Sequence, residues 1–139
     1  AQSVHAGNPR LIALEPLVDA GWLRADGGPG AGEDGCAYRR RRLSEARQGF
    51  QGRGGKDFAA FEAFRHQHRH WLDDYALYQA IRAANGQRAW FDWPSELRDR
   101  QPKALTSVRQ HYAETITQCQ FEQFLFDRQW TTLKRYANE

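Results

Sequence analysis

The chain has little cysteine, no long apolar run and no strand-like alternation, and each shortage removes a class of protein. Two cysteines in 139 residues, Cys36 and Cys119, make neither a disulfide framework nor a metal site. Free thiols in a reducing, cytoplasmic setting are the expectation. No apolar run approaches the roughly 18 residues that a membrane-spanning helix needs, so no membrane contact is expected. No basic stretch followed by an apolar one opens the chain, so no signal peptide is expected. Apolar and polar residues never alternate convincingly at a period of two, and no segment repeats. What is present is charge (27%, net +3) and ring surface (13% aromatic, with five Trp and eight Phe). That is much bulky surface for one domain, which at this length buries roughly two-thirds of its unfolded area.

The punctuation reads as a mainly α chain. Gly7-Asn8-Pro9 is a turn, and the apolar residues after Pro16 suit a short helix ending near Gly21. "RADGGPGAGEDG" is a glycine-rich loop, Tyr38 to Ala46 a short basic helix or extended piece, and "QGFQGRGGK" a second break. Asp57 is placed as the N-cap of a helix whose face is Phe61, Phe64, His68, Trp71, Tyr75 and Tyr78. Asn85-Gly86 stops it, "WFDWP" is an aromatic turn, and Pro94-Ser95 caps a brief helix. From Pro102 one long helix is expected, with Leu105, Val108, Tyr112, Ile116, Cys119, Phe126, Trp130 and Leu133 as its stripe and a kink at Thr115 to Thr117. Two parts follow: 1–56, loop-rich with short helices, and 57–139, helical. Around "CQFEQFLFDRQW" the rings Phe121, Phe124, Phe126 and Trp130 with Leu125 spread over most of the helix circumference. A helix apolar nearly all round is enclosed on several sides, so further polypeptide beyond this chain is expected to cover it.

Signals of chemistry mostly fail on geometry. His66, His68 and His70 alternate, but on a helix successive members point about 200° apart. Only His66 and His70 would share a face, and two histidines without a third ligand predict no metal. "RRRR" (Arg39 to Arg42) offers phosphate contacts, yet no aromatic interleaving accompanies it, so a solvated basic face is the plainer reading. "GFQGRGGKD" lacks a phosphate loop's glycine spacing and its Ser or Thr after the lysine. Adjacent Asp73 and Asp74 diverge by about 100° on a helix and cannot face each other across a glycosidic bond. One is expected in solvent, and the other to be buried and paired with Arg98 or Arg100.

Four segments taken together carry a resemblance: "SVHAGNPRLIAL" (Ser3 to Leu14), "HWLDDYALYQAI" (His70 to Ile81), "WFDWPSELRDR" (Trp90 to Arg100) and "QFLFDRQWTTLKRYAN" (Gln123 to Asn138). In order and spacing the chain resembles the 4-α-glucanotransferases, the amylomaltases or disproportionating enzymes. The resemblance implies a helical insertion subdomain excised from a much longer (β/α)₈-barrel enzyme. The 1–56 part would flank an early barrel strand, and the 57–139 part would end in a long helix preceding another. It implies a retaining double displacement on α-1,4-glucans or maltooligosaccharides, without metal or cofactor. The family's catalytic carboxylates belong to later strands, so no catalytic residue is expected here and the chain alone should be inactive. As part of the cleft wall it would help keep water from the glycosyl intermediate. Tyr38 lies where the family carries a tyrosine that stacks on sugar, although an ordinary half-buried tyrosine stays open. Ser3 and Asn8, in a loop after a barrel strand, would line the catalytic rim. Two departures stand out: His5 where the family usually has phenylalanine, and Asp127 within an aromatic stretch.

The rival reading is a free-standing helical binding module that holds nucleic acid through Arg39 to Arg42; under the main reading no nucleic acid is expected. Exposed core-type aromatics also predict self-association.

Overall fold

The computed structural model describes residues 5–53, 55–86 and 93–138, and among them no strand occurs. A 3-10 turn, Pro9–Leu11, leads to α1 (Glu15–Asp19), α2 (Gly35–Arg53), α3 (Gly55–Gln67), α4 (Arg69–Ala84), α5 (Ser95–Arg98), α6 (Pro102–His111) and α7 (Ala113–Ala137). The mainly α expectation holds. Proline sits in the first turn of α1 and α6, where its missing N–H is not needed. The α4 stop is as expected: the Asn85 side-chain amide donates to the Ile81 carbonyl at 2.8 Å, and Gly86 turns the chain at φ 67°. Pro94 precedes α5, also as expected. Most of the "WFDWP" turn lies outside the described residues.

Four expectations need correction. The basic segment is one 19-residue helix, α2, that runs through Gly49 and Gly52. It is capped by Asp34, whose carboxylate accepts from the Ala37 N–H at 2.7 Å. Gly49 does not break it, because the glycine there serves packing. A Cβ would stand 2.1 Å from the Trp22 carbonyl oxygen, so only glycine lets that backbone approach. Asp57 is no N-cap but a first-turn residue of α3, paired with Arg128 at 2.9 Å. The expected single helix over Phe61 to Tyr78 is two, parted at His68 (φ −104°, ψ 12°). The expected long C-terminal helix is likewise two, parted at Tyr112 (φ −112°, ψ 30°). The threonines do not mark that break, because Thr117 sits inside α7 and its hydroxyl donates back to the Ala113 carbonyl at 3.0 Å.

The contacts sort the chain into two compact units, residues 1–6 with 67–120 and residues 7–66 with 121–139. The first has an aliphatic core. Leu77 and Ile81 of α4 pack with Trp93, Leu105 and Val108, and Tyr78, Leu97, Tyr112 and Ile116 flank them. The buried face of α4 is thus Leu72, Ala76, Leu77, Ala80 and Ile81, while Trp71 and Tyr75 lie half-buried beside it.

The second unit is built on rings. Phe50, 2% exposed, meets Trp22 at 4.9 Å, Phe121 at 5.0 Å, Phe61 at 5.8 Å and Phe124 at 6.1 Å between centroids. Tilted and edge-on pairs of this kind add about 0.5–1.5 kcal/mol each beyond area burial. Phe121, Phe124 and Leu125 are therefore covered within the chain, so the expectation that a bundle of this size could not enclose that stretch is corrected for them. Of that stretch Trp130 is left 51% exposed, and beyond it Leu133 and Tyr136 are 58% and 78% exposed.

The two α2 glycines make a direct test. Gly49→Ala should destabilise the chain by about 1–3 kcal/mol, the usual cost of overpacking. Gly52→Ala, with nothing within 4 Å of its Cβ, should stabilise it by about 0.5–1 kcal/mol. Urea unfolding of both variants checks the sign, and equal effects would remove the packing account.

Candidate functional site

Three surfaces carry the candidate residues. The first is the segment around Asn8, an irregular stretch whose backbone needs partners. Two glutamines of α7 supply them. The Gln123 amide, 2% exposed, accepts from the Gly7 N–H at 2.8 Å and donates to the Gly7 carbonyl at 3.0 Å. Gln129 does the same for Ala13, at 2.8 and 3.0 Å. Arg39 of α2 donates to the carbonyls of Pro9 (3.3 Å) and Ile12. Gly7 lies so close to Phe126 that a Cβ would fall 2.0 Å from its ring. Asn8 is exposed, its side-chain oxygen accepting from the Arg10 N–H at 3.0 Å as the cap of the 3-10 turn. Ser3 lies outside the described residues.

The second surface surrounds Tyr38. Its hydroxyl donates to Asp26 at 2.8 Å, and the same carboxylate accepts from the Gly28 N–H at 3.0 Å. Asp26 also faces Arg42 at 3.4 Å and Arg41 at 3.8 Å. Arg42 is buried at 5% side-chain exposure, reaching the Arg24 carbonyl and Glu45 as well. Arg41 bridges Glu33 with two bonds (2.9 and 3.0 Å) and Glu45 with a third (2.9 Å), and its guanidinium lies 5.3 Å from the Tyr38 ring centre. The arginine run is thus no uniform solvated face: Arg39 and Arg42, three apart, turn inward and staple loops. The Nε of each is buried without a partner, which keeps each staple's net contribution below that of a fully satisfied guanidinium.

This geometry sets the direction in which each group's pKa moves. The Tyr38 hydroxyl, followed by the Gly28 N–H, holds the Asp26 carboxyl below the usual range, and Arg41 does the same for Glu33. The bond to Asp26 raises the Tyr38 phenol. Lowered carboxyls contribute above their unfolded pKa and lose that as pH falls through the folded one. A raised phenol contributes below its unfolded pKa and loses that as pH rises through the folded one. The network therefore holds across neutral pH and weakens at both extremes.

The third surface is an open groove of about 810 Å³ between Leu11, Leu17 and Trp22 on one side and Phe126, Trp130 and Leu133 on the other. Its polar lining is already engaged: Asp57 with Arg128, and Gln129 with Ala13. A sugar, which needs free hydrogen-bonding groups, gains little there. An apolar protein surface fits better.

Other candidates resolve as structure. Asp74 pairs with Arg100 at 3.2 Å, as expected in partner, but the pair is exposed (68% and 59%), so no buried carboxylate is involved. Asp73 is exposed. His66 closes α3, while His68 sits at the break and accepts from the Trp71 Nε1–H at 3.1 Å. His5 stacks on Trp71 at 5.6 Å, and Asp127 is exposed. Among the described residues no group of three His, Cys, Asp or Glu could hold a metal ion, and no helix is long and apolar enough to cross a membrane.

Comparison with known proteins decides the family. The family profile described as 4-alpha-glucanotransferase matches residues 1–139. The chain belongs to the 4-alpha-glucanotransferase family. It is 40% identical to the 4-alpha-glucanotransferase of Thermus thermophilus, over 97% of this chain and 28% of that protein. It is 32% identical to that of Aquifex aeolicus, over 100% of this chain and 29% of that protein. Among solved structures it is similar to the amylomaltase from Streptococcus agalactiae in complex with acarbose. That match has a TM-score of 0.81 and 26% identity, covering 99% of this chain and 32% of that one. The chain thus spans less than a third of the length of the relatives it matches. Gln123, Gln129 and Asp26 escaped sequence reasoning, since a glutamine or aspartate bonded to distant backbone or a distant hydroxyl leaves no periodic mark.

Arg42→Ala should cost about 2–3 kcal/mol, because it removes a buried side chain and strips a charge-assisted network from Asp26, Glu45 and the Arg24 carbonyl. Asp74→Asn should cost about 0–1 kcal/mol, as exposed pairs do. Thermal unfolding of both variants reads the difference, and the reverse order would show the stapling account wrong.

Proposed function

We propose that this chain is a helical part of a 4-alpha-glucanotransferase that moves α-1,4-glucan segments between maltooligosaccharides by a retaining double displacement. The observation that carries this reading is the family match along residues 1–139, with 40% identity to the Thermus thermophilus enzyme. The acarbose-bound relative supports an oligosaccharide substrate. The nucleophile and acid/base would come from the remainder of a family-length protein. The open groove and the bare end of α7 would seat against that remainder, forming part of the cleft wall. Tyr38 would stack on glucan outside the catalytic centre, and Asn8 and Ser3 would line the cleft rim. For Tyr38 the support is a half-buried ring oriented through its hydroxyl. With Arg41 over one face, a sugar is left the opposite one. The arginines argue against the nucleic-acid reading, since Arg39, Arg41 and Arg42 are spent on carbonyls and carboxylates.

The 139-residue chain incubated with maltotriose should leave it unchanged. Substituted for its counterpart in the Thermus thermophilus enzyme, it should give a chimera that converts maltotriose to shorter and longer chains. A folded chimera without transfer activity, or transfer by the chain alone, contradicts the proposal. The exposed ridge should also make the isolated chain self-associate, with Leu133→Asp and Tyr136→Asp together restoring a monomer. Sedimentation velocity at increasing concentration reports this, and a wild-type chain that stays monomeric rules it out.

A further inference from the structure

We propose that Asp26 is the positioning residue that sets the ring of Tyr38 for sugar stacking. The inference rests on the stacking reading of Tyr38 and goes beyond it, because it assigns the orientation to a residue that touches no sugar. A stacking platform works only if its plane is fixed beforehand. A ring free to sample rotamers loses that freedom on binding, a cost equivalent to about 2- to 10-fold in affinity per ordered side chain.

Tyr38 sits in the first turn of α2, where the helix backbone narrows the first side-chain torsion but does not by itself fix the plane of the ring. Among the described residues, the oxygen that holds its far end is Oδ1 of Asp26, at 2.8 Å. Asp26 lies in a glycine-rich loop, a poor foundation by composition, yet it is held from three sides. The Gly28 N–H donates to Oδ1, while Oδ2 faces Arg42 and, farther off, Arg41. Arg42 is the anchor, since its side chain is 5% exposed and it also grips the Arg24 carbonyl two residues before Asp26. Orientation therefore passes from a buried arginine to a carboxylate and then to a phenol. Arg41, held by both oxygens of Glu33 and by Glu45, covers one ring face and leaves the sugar only the other.

The test titrates the 139-residue chain with maltoheptaose and follows the Tyr38 ring resonances in a ¹³C-tyrosine-labelled sample. Asp26→Ala should weaken binding about 2- to 10-fold and let the ring resonances average. Asp26→Asn keeps an acceptor oxygen toward the hydroxyl and should restore most of the affinity, which a merely structural role would not separate from the alanine variant. Tyr38→Phe, which leaves the Asp26–arginine contacts in place, should lose as much as Asp26→Ala even if the alanine variant folds poorly. The double variant should lose no more than either single one. Unchanged affinity in Asp26→Ala and Tyr38→Phe, with binding lost in Tyr38→Ala, overturns the positioning role and spares the platform. Absent binding by the wild-type chain, or unaltered binding by Tyr38→Ala, overturns the platform and this role with it.

Discussion

The second unit depends on two side-chain amides. Gln123 and Gln129, six residues apart on α7, each return both halves of a peptide hydrogen-bond pair to the segment at Gly7 and Ala13. Among the described residues no strand lies beside that segment, and it forms a single 3-10 turn, so its backbone must find partners or remain in water. Gln123 is buried at 2% exposure and would be costly if unpaired. Each group thus satisfies the other's requirement, and the stretch carrying Asn8 acquires a fixed course. Other features follow from that course. Gly7 must be glycine because it runs against Phe126, Arg39 finds the carbonyls of Pro9 and Ile12 within reach, and Leu11 and Leu17 become one wall of the groove.

The polar and apolar parts of this unit stand in opposite states. Around Tyr38 each charge has an answering one, from Asp26 and Glu33 to Arg41, Arg42 and Glu45. The rings at the interior contacts of α2, α3 and α7 are equally well supplied with neighbours. The contrast lies along α7 itself: Phe121 to Leu125 are covered, while Trp130, Leu133 and Tyr136 are not. Water tolerates single exposed apolar residues. A continuous ridge beside an apolar groove is a larger apolar surface than scattered single residues make, of the kind that favours protein contact.

What could be read from the sequence was whatever had a local physical mark. Pro16, Pro94, Pro102 and Asn85-Gly86 announced helix boundaries because each alters what the backbone can do. The breaks at His68 and Tyr112 gave no warning. Both residues adopt φ near −110° and ψ between 12° and 30°, close to the bridge region, which asks for no special side chain. The glycines at 49 and 52 misled in the other direction, since Gly49 answers to the Trp22 carbonyl, which arrives from far away in sequence. The Asp74–Arg100 pairing was foreseeable from charge and spacing, but its exposure depended on which face α4 buries. That face is chosen by aliphatic residues against Leu105 and Val108 and not by the conspicuous aromatic stripe.

The arginine run shows how one sequence feature supports opposite inferences until a helix phase is known. Four consecutive cations suggest a patch for anions, yet on a helix they cannot act together. Arg39 and Arg42 share one side, and that side faces the protein. Once inside, their partners are dictated by the loops that must be closed: the carbonyls of residues 9, 12 and 24, and the carboxylate of Asp26. The outward Arg41 then has carboxylates on both flanks and a phenol beneath it. Positive charge that could have served a polyanion is consumed in ordering a glycine-rich loop.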